Sequence, residues 1–224
     1  MLLVKPSATI IALSQYPLGI IEEAGRTCYK SEDKITDDSA PKFAEMILKR
    51  GHESVLEHAS ATVRFICDRG VSHEIVRHRL ASYSQESTRY CDYEGGHVAF
   101  VIPPWCQTLL AGEASICTDY AALCTFAENP DTDTTWLLSM QQAEINYKRL
   151  RDLGWRPEQA RSVLPNSLKT EIVMTANLRE WRHFFKLRTS PAAHPQMREV
   201  ATPLLAEMAE RVPVLFDDLL AGVM

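Results

Sequence analysis

The sequence predicts an α+β fold: a small, mainly antiparallel sheet packed with several helices, plus a long helical arm. Three observations lead there. Strand-like patterning is confined to four short stretches, 2–13, 59–67, 97–102 and 168–176. Helical patterning fills most of the rest, and two long helical patterns lie back to back between about 105 and 153. No G-x-G-x-x-G fingerprint occurs, so a dinucleotide here is not held in the Rossmann manner.

Residues 2–13 carry two short apolar runs that read as strand, or strand plus turn. A helix follows from about Pro17, with Ile20, Ile21 and Ala24 inward. The acidic stretch from Ser31 to Ser39 is a loop. Ser39 then caps a helix with Pro41 near its first turn and Phe43, Ile47 and Leu48 as its stripe. Gly51 stands where a C-terminal glycine belongs. Residues 52–58 read as a capped turn. In 59–67, Val63 and Phe65 alternate with polar neighbours, which is a strand pattern. Val71 to about Leu80 reads as a helix, placing Arg77-His78-Arg79 at its C-terminal end, where cations complement the helix dipole.

His97–Ile102 is a short strand stopped by Pro103-Pro104. The arm's first helix is expected from about Trp105 to Phe126. Its second starts after Asp133, with Trp136, Met140, Ala143, Tyr147 and Leu150 as a packing stripe. Cys117 and Cys124, seven apart, share a face of the first. Pro157–Val163 is a short helix presenting Arg161. Leu168–Ala176 alternates as a strand. In the helix that follows, Leu178, Trp181, Phe184, Phe185 and Arg188 share one broad face. Residues 195–222 form an amphipathic helix or helix pair, since Pro203 and Pro213 argue against one unbroken helix.

The 224 residues are 46% hydrophobic, enough for one domain spanning 1–224 with the arm at about 105–153. Lys+Arg is 24 and Asp+Glu is 29, a net charge of −5. That argues against nucleic acid as the main partner. Six cysteines without a C-x-x-C pair suit reduced thiols in a cytoplasmic protein. No signal-peptide core and no membrane-spanning apolar run is present.

The densest chemistry lies in Arg77–Tyr90, with three arginines, four Ser/Thr residues and two tyrosines. Ser87, Thr88 and Arg89 suit a monophosphate. Arg77 and Arg79 would diverge by about 200° on a helix and so serve different ligands. Gln85 both donates and accepts, as recognition of a heterocycle edge requires. Ser87 has no visible base relay, so nothing reads as an activated nucleophile. His52 and His58 are six apart, not four, so H-E-x-x-H is absent and no metal is expected. A nucleotide- or RNA-binding module and a metal hydrolase using His52, His58, His73 and His78 stay open as alternatives on these residues alone.

Arg77-His78-Arg79, followed after seven residues by Ser87, resembles the signature of the flavin-dependent thymidylate synthases. Three further segments extend the likeness. Gly51-His52-Glu53-Ser54 through Glu57-His58 resembles the family's upstream histidine segment. Ala160-Arg161-Ser162-Val163-Leu164-Pro165 resembles its A-R-x-x-L-P segment, and Asn177–Arg188 its last ligand-binding helix. The resemblance implies reductive methylation of dUMP to dTMP, with methylenetetrahydrofolate as one-carbon donor and NADPH reducing a bound FAD. It further implies that Ser54, Arg77, His78, Arg79, Gln85, Asn177, Arg179 and His183 contact FAD, with His52 near flavin and folate. Glu74, Arg77, Gln85, Glu86, Ser87, Arg89, Arg161 and Arg188 would contact dUMP. Arg188 would act catalytically by stabilising charge on the uracil. The family pattern implies a homotetramer with shared sites. Many members carry Asn-Glu where this chain has Ser84-Gln85, which bears on the assignment of Gln85 to both ligands.

Overall fold

The computed structural model describes residues 1–106, 108–113 and 131–223. Among these are seven strands: β1 (Leu2–Val4), β2 (Ser7–Leu13), β3 (Ser60–Asp68), β4 (Ala81–Gln85), β5 (Ala99–Val101), β6 (Gly112–Glu113) and β7 (Lys169–Asn177). The α-helices described are α1 (Pro17–Tyr29), α2 (Ser39–Arg50), α3 (Arg69–Ile75), α4 (Thr132–Asp152), α5 (Pro157–Ala160), α6 (Leu178–Arg188), α7 (Pro195–Arg211) and α8 (Asp217–Ala221). The chain divides into two compact units, residues 1–6, 66–73 and 85–171, and residues 7–65, 74–84 and 172–224. The α+β class is borne out, with the strands distributed over two sheets.

In the first unit the sheet order is β5-β1-β6, with β1 parallel to β5 and antiparallel to β6. Helix α4 buries Met140, Ala143 and Tyr147 in a core with Leu3, Val98, Phe100 and Leu168, and Trp136 and Leu150 pack at its edge. That is the stripe expected from spacing. Asp131 starts the helix: its carboxylate accepts the Thr134 backbone N–H at 2.9 Å.

In the second unit the sheet order is β2-β3-β7-β4. Strand β7 alternates cleanly, burying Thr170, Ile172, Met174 and Ala176. Asn177 ends β7 and caps α6, its side-chain oxygen accepting the Glu180 N–H at 2.8 Å. Helix α6 buries Leu178, Trp181, Phe184 and Phe185. Their rings meet Phe65 of β3 and Phe216 beyond α7, with centroids 5.3–6.3 Å apart. Such pairs add to the area they bury. Gly25 of α1 lets α2 approach, since a Cβ there would stand 2.4 Å from the Phe43 ring. Gly51 closes α2 at φ 69°, the left-handed cap expected of it.

Four expectations need correction. Ser39 is the first residue of α2 and not its cap; its hydroxyl accepts the Thr36 N–H and donates toward Glu22. Helix α3 stops at Ile75, so Arg77-His78-Arg79 lies in the turn beyond it and not on a helical face. Residues 108–113 are not helical, and Gly112–Glu113 pairs with β1 instead. The remainder of that expected helix, with Cys117 and Cys124, lies outside the described residues. Pro203 sits inside α7, whereas the break falls at 212–216, around Pro213.

Phe184 is wholly buried at the centre of the aromatic cluster. Phe184→Ala should cost ~3–5 kcal/mol in urea unfolding, the range for an aromatic truncated in a core; a change below ~1 kcal/mol would show that the cluster does not hold the helix.

Candidate functional site

Site residues gather in each unit separately. In the second unit they surround a cleft of about 380 Å³ whose walls include Glu53, Glu57, Leu80, Asn177, Arg179 and His183. The N-cap turn between β7 and α6 orients this group. Because Asn177 spends its oxygen on the cap, its side-chain NH₂ is the part free for a ligand. Arg179 is exposed and pairs with Glu57 at 2.5 Å. His52, Ser54, Arg77 and Arg79 are exposed at the surface of the same unit.

Beside this cleft lies a partly buried chain of contacts. Arg188 Nε donates to His78 Nε2 at 3.1 Å, its Nη1 to the Glu74 carboxylate at 2.7 Å, and its Nη2 to the Glu74 carbonyl at 2.9 Å. The other ring nitrogen of His78, Nδ1, lies 3.0 Å from Glu180 Oε1. His78 is 3% exposed and Glu180 6%. Burial pushes the His78 imidazole below its ordinary value, and Arg188 and His183 add to this, while the Glu180 carboxylate pulls the other way. The Tyr83 hydroxyl sits between the carbonyls of Ile75 and His78, at 2.9 and 2.6 Å, and burial pushes it up to about 12.

His78, Glu180 and His183 offer atoms within 4.8 Å of one another that could hold a metal ion. Of the four histidines considered from sequence, this cluster includes only His78. Both ring nitrogens of His78 are already engaged, one of them by a permanent cation, which disfavours a second cation there.

In the first unit, Arg69, His73, Thr88, Arg161, Ser162 and Asn166 line a second cleft of about 380 Å³. Arg161 Nη1 donates to the Thr88 hydroxyl at 2.9 Å. Ser87 Oγ accepts the Arg89 N–H at 3.3 Å, and the Arg89 guanidinium is exposed over the Tyr90 ring. Gln85 Nε2 donates to Ser72 at 3.0 Å and to Thr170 at 3.3 Å. Glu86 points elsewhere: one oxygen accepts from Tyr93 at 2.9 Å and the other from Lys169 at 3.0 Å. Both its oxygens are thus engaged within the protein.

Sequence reasoning missed Glu180, Tyr83, Lys169 and Arg69. Only Glu180 carried a local signal, as the acidic residue three after an N-cap asparagine. The others are defined by partners distant in the chain or by the way the chain folds back.

The family model described as thymidylate synthase complementing protein matches residues 9–214. The chain is 34% identical over 212 residues to a flavin-dependent thymidylate synthase of Pyrococcus furiosus, covering 91% of this chain and 79% of that protein. It is 37% identical over 205 residues to a flavin-dependent thymidylate synthase of Corynebacterium aurimucosum, covering 89% and 78%. Its fold resembles thymidylate synthase X of Helicobacter pylori, crystallised with FAD and dUMP, at TM-score 0.74 and 23% identity over 96% of this chain and 99% of that one. It also resembles a UMP/dUMP methylase of Streptomyces cacaoi bound with 5-Br dUMP, at TM-score 0.77 and 24% identity over 99% and 97%.

Whatever the clefts bind, the Tyr83 hydroxyl ties down the turn that carries His78. Tyr83→Phe should lower unfolding free energy by ~1 kcal/mol in urea titration, the net worth of a hydrogen bond; an unchanged midpoint would show that the turn holds itself.

Proposed function

The chain belongs to the flavin-dependent thymidylate synthase family, and we infer on that premise that it converts dUMP to dTMP, taking the one-carbon unit from methylenetetrahydrofolate and reducing equivalents from NADPH through FAD. The observation that carries the assignment of roles is Arg188. Three of its five N–H donors are held by His78 and Glu74, and among the described residues no partner takes the other two. A guanidinium fixed in this way is a preset positive edge for an anionic or polarised ring.

The cleft beside α6 has features a flavin dinucleotide requires. Arg179 and Lys186 line it, each now paired with a carboxylate (Glu57 at 2.5 Å and Glu53 at 3.7 Å) that a diphosphate would displace; the Asn177 amide can donate, and Leu80 offers an apolar wall. His183 borders the same cleft, and Arg77, Arg79, Ser54 and His52 are exposed for contact with cofactor or folate. At about 380 Å³ it is at the small end of ligand clefts, which run ~300–1,000 Å³. That supports sites completed by other subunits, hence a homotetramer. Bound flavin supplies the redox chemistry; the protein supplies grip, orientation and charge.

For dUMP, the monophosphate is assigned to Ser87, Arg89 and Arg161: Ser87 and Arg89 flank Thr88 in the chain, and Arg161 donates to the Thr88 hydroxyl. Gln85 has its NH₂ occupied, so its oxygen is what meets a pyrimidine N–H. Glu74 positions Arg188, and Glu86 holds Lys169 and Tyr93. The four described cysteines unpaired in disulfides, and the absence of any described helix long and apolar enough to cross a membrane, support a cytoplasmic enzyme.

The purified protein with FAD should show a flavin visible spectrum and form dTMP from dUMP, methylenetetrahydrofolate and NADPH. Failure to bind FAD together with no dTMP would refute the assignment. Arg188→Ala should lower turnover by ~10²–10³-fold, the cost of losing a preorganised donor, with a smaller loss of FAD affinity; equal losses would place Arg188 with the cofactor. Arg89→Ala should weaken dUMP binding ~10–100-fold by calorimetry, as for a hydrogen bond to a charged group; unchanged affinity would place the phosphate elsewhere.

A further inference from the structure

We propose that Glu180 is a positioning residue for thymidylate synthesis: it acts through His78 to hold Arg188 in one orientation. The proposal rests on the reading of Arg188 as the group facing the pyrimidine, and its local geometry can be tested without that reading.

Arg188 has donors only and stays charged. Its Nε–H points at His78 Nε2 from 3.1 Å, so that ring nitrogen must carry a lone pair. A neutral ring then carries its proton on Nδ1, and the atom facing Nδ1 is a Glu180 oxygen at 3.0 Å. One tautomer, and only the neutral ring, satisfies both ends. Glu180 is itself set by the cap, since its N–H is bound by Asn177 at 2.8 Å. The relay therefore runs from the start of α6 through a buried ring to Arg188 at the end of the same helix.

The surroundings restrict the ring further. Phe184 lies 4.9 Å from the His78 centroid, and His183 meets it edge-on at 5.6 Å. The charged or titratable groups around it are Glu180, His183 and Arg188 from α6, and Glu74 through Arg188. Tyr83 of β4 donates to its carbonyl. Without an acceptor at 180, Nδ1–H is buried and unpaired, and the ring is free to move its proton to Nε2. That would set N–H against N–H at Arg188 and leave the guanidinium tethered by Glu74 alone. Protonation of His78 has the same effect at Nε2, adding like charge, so the contact is lost on the acid side.

Glu180→Gln keeps an acceptor and removes the charge that favours the imidazolium. The experiment compares Glu180→Gln and Glu180→Ala holoenzymes with the parent. It records kcat and KM against pH, FAD binding by visible titration, and ¹⁵N spectra of histidine-labelled protein, with His78 assigned by its loss in His78→Gln. Expected are an Nδ1–H neutral His78 in the parent and in Glu180→Gln, lost in Glu180→Ala. Glu180→Gln should keep kcat within a fewfold at its optimum and move the acid limb ~1 unit lower, the effect of losing a nearby opposite charge. Glu180→Ala should lose ~10–100-fold in kcat, as for groups that orient another ligand-contacting side chain. An Nε2–H tautomer in the parent, its persistence as Nδ1–H in Glu180→Ala, or an unshifted acid limb in Glu180→Gln overturns the proposal. If Glu180→Ala fails to fold, Glu180→Gln and the parent tautomer still decide it. An inactive parent would overturn the assigned reaction instead, while the tautomer would still test the relay.

Discussion

Burial of the aromatic face of α6 is the constraint on which the second unit's site depends. An α-helix turns ~100° per residue, so fixing one face fixes all the others. With Leu178, Trp181, Phe184 and Phe185 buried, Arg179, His183 and Lys186 are left exposed, while Glu180 is buried and Arg188 half-buried. The Asn177 cap sets where the helix starts, so its axial position is determined as well as its rotation. The side chains at the cleft are therefore placed by the core beneath them more than by contacts among themselves.

The regular parts of this fold were legible because their periods are local. Alternation in β7 and the stripe of α4 needed no knowledge of partners. The end of α3 was not legible. Residues 76–80 contain no glycine or proline, so the sequence pattern continues the helix past Ile75. What competes is the Tyr83 hydroxyl, which reaches back to the carbonyls of Ile75 and His78 from β4. Ser39 shows the same limit, since its hydroxyl turns to Thr36 and Glu22 rather than to its own helix. In the site, resemblance brought out the arginines. Glu180 stayed hidden because its partner His78 is 102 residues away, and Lys169 because its partner Glu86 is 83 away.

The Ser84-Gln85 pair also acquires a physical reading. Ser72 has one hydroxyl proton and donates it to the Arg69 carbonyl at 3.0 Å. It therefore meets residue 85 as an acceptor, and Gln85 supplies the matching N–H. A carboxylate at 85 has no proton to offer and would compete for the one Ser72 already uses. The neutral amide suits the hydroxyls around it, while the negative charge in this stretch sits next door on Glu86, balanced by Lys169.

The tethering of Arg188 has a consequence for where free energy is spent. A flexible cation must lose rotamer freedom each time it meets an anion, and that loss weakens the encounter. Here the loss is incurred once, when the chain folds and His78 and Glu74 take up the guanidinium. A lysine, with three donors on one rotating ammonium, would use all of them to replace these three contacts and have none left over. The Arg188 guanidinium is in this sense a fixed charge of the fold, and an anion meeting it would not have to order it.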